Sequence, residues 1–89
     1  MSFVSDALGE FSQQDLEVLA VKPPTEDTLA MAARLGEAMG RNAWPGDLVY
    51  ENVARVGQER GWPSEVVTAV GQLAYQGMQA SYRNEVFGD

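Results

Sequence analysis

Four prolines cut this chain into lengths that only helices fill well. Pro23-Pro24, Pro45 and Pro63 each deny a backbone donor and push the preceding residue toward extended geometry, so helices end at or before them. Between the breaks, apolar residues recur three and four apart. No segment alternates convincingly at period two, and no Asn-Gly or Asp-Gly hairpin turn occurs. The expected fold is therefore all-α: a compact bundle of four to five helices with the long C-terminal helix central.

Val4, Ala7, Leu8 and Phe11 mark a first helical segment over Phe3 to Glu10. Ser12 is a good N-cap, with Asp15 at the third helical position as in a capping box. Phe11 and Leu16 are spaced as a hydrophobic staple, and this helix is expected to run to Pro23. Thr25 caps a third helix reaching about Met39, with Glu26 and Asp27 in the first turn where the helix dipole favours acids. Its expected buried face is Leu29, Ala32, Ala33, Gly36, Met39 and Gly40, flanked by Met31, Leu35 and Ala38. Ala32, Gly36 and Gly40 stand four apart, so a neighbouring helix can come close there.

Trp44-Pro45-Gly46-Asp47 is expected to open a fourth helix capped by Asp47, striped with Val49, Val53 and Val56 and stopped by Gly61. Trp62-Pro63-Ser64-Glu65 opens the last helix, reaching about Val86 and spanning about 34 Å. The two Trp-Pro openings echo each other, which either duplication or like capping chemistry would produce. Around the last helix, Val66, Val67, Val70, Leu73, Ala74, Tyr75, Met78, Tyr82 and Val86 cover more than half the circumference. So wide an apolar arc implies a helix that is central or covered by a second chain.

An 89-residue chain fits one domain, residues 1–89. With no cysteine, disulfides and thiolate metal sites are excluded, and with no histidine the commonest general base and zinc ligand are missing. The acid pairs Asp6 with Glu10 and Glu26 with Asp27 are the remaining acid/base candidates, but neither is embedded in apolar sequence. The calcium-loop, Gly-x-Gly-x-x-Gly and P-loop patterns do not occur. The glycines Gly36, Gly57, Gly71 and Gly77 lie within expected helices, where each costs about 1 kcal/mol relative to alanine; close packing or a bend is the physical reason to keep them. No enzyme, metal, cofactor or small-molecule substrate is expected.

Thirteen acids against six bases leave a net charge of −7, which repels phosphate backbones and anionic lipid. Residues 47–60, a break at Gly61-Trp62-Pro63 and residues 64–86 outline a helix-turn-helix. The last helix, however, opens on Ser64-Glu65-Val66-Val67-Thr68 with Arg83 far away, a poor set for reading DNA. Residues 1–27 hold six acids and one base, so an acidic mimic filling a partner's basic groove is a further alternative. No apolar run reaches membrane-spanning length, and no basic stretch followed by a long apolar one opens the chain; the expected location is cytoplasmic.

What remains is a protein that binds another protein or itself, as accessory subunit, inhibitor or assembly component. Trp44, Trp62, Tyr50, Tyr75, Tyr82 and Phe87 are many large aromatics for this length, and such residues dominate both cores and binding hot spots. The residues expected to make the contact are Trp62, Tyr75, Met78, Tyr82, Val86 and Phe87. Tyr82, Val86 and Phe87 are expected to be the least buried.

Overall fold

The computed structural model describes residues 2–87, with side chains through Ser81. It contains α1 (Phe3–Leu8), α2 (Gln13–Glu17), a 3-10 turn (Val18–Ala20), α3 (Glu26–Asn42), α4 (Val49–Arg60) and α5 (Ser64–Phe87). No strand occurs among the described residues, and the all-helical expectation holds. The Cα radius of gyration is 12.8 Å, close to the about 12 Å of a compact domain this long.

The first three helix starts are written in hydroxyls. Ser2 and Ser12 accept from the amides of Ser5 and Asp15, each at 3.1 Å. The Asp15 carboxylate makes no return bond, so only half of the expected box forms. The complete box is at α3, where Thr25 Oγ1 accepts from Thr28 N at 3.2 Å and Thr28 Oγ1 accepts from Thr25 N at 3.1 Å. Thr28 is fully buried with its hydroxyl satisfied. The second helix stops at Glu17 and tightens into the 3-10 turn, well short of Pro23. That turn buries Leu19 and packs against α3.

α3 and α5 form the central pair and run parallel, with Gly36 over Val70 and Leu73 and Gly40 over Ala74 and Gly77. A Cβ built on Gly40 would stand 2.9 Å from the Gly77 Cα, and one on Gly77 would stand 2.8 Å from the Gly40 Cα. The stripe of small residues is thus a true helix crossing at backbone contact. α4 returns antiparallel against α5, with Tyr50 beside Gly71 and Gly57 beside Val67.

One expectation about buried faces is corrected, and the central placement of α5 holds. Leu29 is 47 % exposed. Apart from half-buried Ala33, the rest of the expected α3 face is buried, Ala32, Gly36, Met39 and Gly40 lying inward together with Thr28, Met31, Leu35 and Ala38. α3 is packed by α5 and also by α1 and the 3-10 turn. On α5, Val66, Val70, Ala74 and Met78 are buried and Val67, Leu73 and Tyr75 half-buried. Through Met78 the wide arc is covered within the chain, by α3 and α4.

The two Trp-Pro openings also part company. Gly61, at φ 75°, ends α4 in a left-handed turn, and the amides of Gly61 and Trp62 both donate to the Gly57 carbonyl. This Schellman closure folds the Trp62 indole onto Gly57, where a side chain would collide with Trp62 and Val67. Trp62 is 6 % exposed, Trp44 66 %.

Candidate functional site

The second tryptophan, Trp44, is held outside by two consecutive turns. Ala43 is buried and closes α3 with extended backbone. Trp44 precedes a proline, which keeps it out of helical geometry. Pro45 and Gly46 then occupy the corner of a type II turn: Gly46 has φ 98° and the Asp47 amide donates to the Trp44 carbonyl at 3.0 Å. Asp47 was expected to cap α4. Its carboxylate instead points back, Oδ2 accepting from the Trp44 amide at 2.7 Å, so the turn is closed by two bonds.

Leu48 follows with φ −83° and ψ 76°, an inverse γ-turn whose Val49 amide donates to the Asp47 carbonyl at 3.0 Å. α4 therefore begins at Val49 behind a leucine N-cap that offers no side-chain acceptor. Leu48 itself is 60 % exposed. Tyr50, on the first turn of α4, sets the Cδ1–Cε1 edge of its ring beside Gly71 and stacks on Tyr75, with ring centroids 5.2 Å apart and planes at 27°. One face of the Tyr50 ring is packed, and the residue is still 51 % exposed.

Trp44, Leu48 and Tyr50 thus fall within seven residues, on a segment closed by consecutive hydrogen-bonded turns. A groove of about 200 Å³ is lined by Asp47, Leu48, Val49, Tyr50, Glu51 and Tyr75. Beyond the turn, Trp44 and Pro45 border a second, more polar hollow of about 300 Å³ that includes Asp6, Arg41 and Asn42.

Of the residues expected to make contacts, Tyr75 belongs to this groove. Trp62 and Met78 sit in the hydrophobic core: Trp62 is folded inward by the Gly61 turn, and Met78 follows Val66, Val70 and Ala74 on the buried stripe of α5. Tyr82, Val86 and Phe87 lie outside the residues whose side chains are described. Sequence reading passed over Leu48 because the Asp47 cap placed it inside a helix start. The signal was the Pro-Gly pair, which specifies a turn one step earlier.

The acid pairs hold ordinary structural positions. Glu10 accepts from Asn42 Nδ2 at 3.0 Å and from Arg41 Nη2 at 2.9 Å. These bonds, Asn42 first, hold its carboxyl below the usual range, opposite to what a general acid needs. Glu26 and Asp27 occupy the first turn of α3. Among the described residues no three potential metal ligands cluster, and no helix is long and apolar enough to cross a membrane. Comparison with protein-family models, curated proteins and solved structures gives no match.

Proposed function

We propose that this chain works by binding another protein through the face formed by Trp44, Leu48 and Tyr50, as an accessory subunit, inhibitor or assembly component. The observation that carries the reading is the exposure of three large apolar side chains, Trp44, Leu48 and Tyr50, within seven residues. Nothing in the packing of α3, α4 or α5 requires Trp44 or Leu48 to be apolar, since both project away from the core. Tryptophan and tyrosine are the residues most enriched at hot spots. A turn closed by two hydrogen bonds also keeps the ordering cost of binding low.

The test is size-exclusion chromatography with light scattering, on the purified chain alone and after mixing with native lysate. Mass spectrometry of a shifted peak identifies the bound protein, and the pair is then rebuilt from purified components. Trp44→Ser with Leu48→Ser is expected to weaken that complex by about tenfold or more, the scale of one hot spot. A chain that never shifts, or a complex indifferent to both substitutions, overturns the assignment.

A further inference from the structure

The groove at the start of α4 has an apolar floor and an acidic rim. Leu48, Tyr50 and Tyr75 supply the floor, Asp47 and Glu51 stand beside them, and no cation is among the described residues that line it. The free N-terminus of α4 adds about half a positive charge, too little to offset two carboxylates, and the chain as a whole carries −7. The site is therefore anionic as well as apolar.

Resting on the protein-binding reading above, we propose that the groove receives a cationic amphipathic helix of a partner protein. Such a helix would set a large apolar side chain between Leu48 and Tyr50 while a flanking Lys or Arg meets the exposed Glu51, with Asp47, whose Oδ2 is held by the Trp44 amide, adding negative charge behind it. Helix-in-groove recognition needs an apolar slot between helices, and this one lies where the first turn of α4 meets α5. No strand is present among the described residues to offer an edge for an extended peptide. Partner guanidinium groups can also lie over the exposed Trp44 and Tyr50 rings.

A second copy of the chain is a poor occupant. A two-fold dimer about this face would bring each acidic rim against its own image, and like charges placed together at an interface are costly. Anionic lipid is repelled for the same reason.

The probe is a synthetic leucine–lysine helix with leucine at i, i+3, i+4 and i+7, titrated calorimetrically against a leucine–glutamate helix of the same pattern. The lysine peptide is expected to bind and the glutamate peptide not. Glu51→Lys and Leu48→Ser, checked for helicity by circular dichroism, should each weaken binding by about tenfold, the effect of losing a close charge pair or an apolar anchor. Glu26→Lys, at the other end of α3, should leave the affinity nearly unchanged.

Equal binding of both peptides overturns the charge assignment, and equal weakening by Glu26→Lys reduces it to diffuse attraction by an acidic protein. Binding of neither peptide, or preferential binding to phosphatidylserine vesicles, overturns the helix as occupant. The protein-binding reading is decided separately, by the complex rebuilt with Trp44 and Leu48 intact or replaced.

Discussion

At Gly40 the usual preference of helices for alanine should reverse. Alanine within a helix gains about 1 kcal/mol over glycine, but a Cβ here meets the Gly77 Cα at 2.9 Å and the Ala74 carbonyl oxygen at 3.3 Å. Both neighbours are backbone, so α3 and α5 must separate, and overpacking of this kind costs about 1–3 kcal/mol. Gly40→Ala is expected to lower the urea midpoint. Gly9→Ala should raise it, by up to about 1 kcal/mol, because Gly9 has φ −67° and nothing closer than 3.5 Å to a new Cβ.

Glu10 gives a pH signature on the same scale. Its carboxyl is held low by Asn42 and Arg41, so its stabilisation is complete above the ordinary glutamate value of 4.5. It fades as pH falls through the lower folded-state value, where the folded protein must also take up the proton. Melting wild type and Glu10→Gln in parallel should show a gap at pH 7 that closes on acidification below that range. A gap that persists in acid would mean the carboxylate charge is not what Arg41 and Asn42 recognise.

At the level of elements, the two long-helix starts with described caps are built to different standards. α3 begins with the reciprocal Thr25–Thr28 box, and Thr25→Ala should cost about 1 kcal/mol by losing the acceptor for the Thr28 amide. α4 begins at Leu48 with no side-chain acceptor. Leucine is among the poorest N-caps, so Leu48→Asn should leave denaturant stability unchanged or raise it by up to about 1 kcal/mol. The same change should weaken partner binding. A fold that gains from losing Leu48 would place the reason for that leucine outside the fold. If Leu48→Asn clearly destabilises the chain, the leucine is structural and the binding face shrinks to Trp44 and Tyr50.

Across the whole molecule, the two tryptophans divide the labour of core and surface. Trp62→Ala should cost about 3–5 kcal/mol, a large share of the about 5–15 kcal/mol that stabilises a typical domain. Trp44→Ala should stay within about 0.5 kcal/mol, as for other surface changes. Thermal melts of the pair decide this directly. Equal losses would mean that the 44–47 turn is as much part of the core as the Gly61 turn.

Most of the helical outline is legible in residues near one another in the chain. Ser12 and Thr25 cap where their spacing to the next apolar residues says, Gly61 stops α4, and the four-residue stride of Ala32, Gly36 and Gly40 announces a close crossing. These are local effects: a hydroxyl reaching an amide three residues on, a glycine tolerating φ above zero, a missing Cβ. What tertiary structure alone decided is which members of each apolar set are covered and which are left exposed. Leu29 is exposed although Gly36 and Gly40, on the same side of α3, are buried against α5. Met78 is buried in the core cluster with Val66, Val70 and Ala74. Trp44 and Trp62, nearly alike in their sequence surroundings, separate because Gly46 turns the chain away from the core and Gly61 turns it back over Gly57. Burial depends on what arrives from elsewhere in the chain, and no local pattern carries that information.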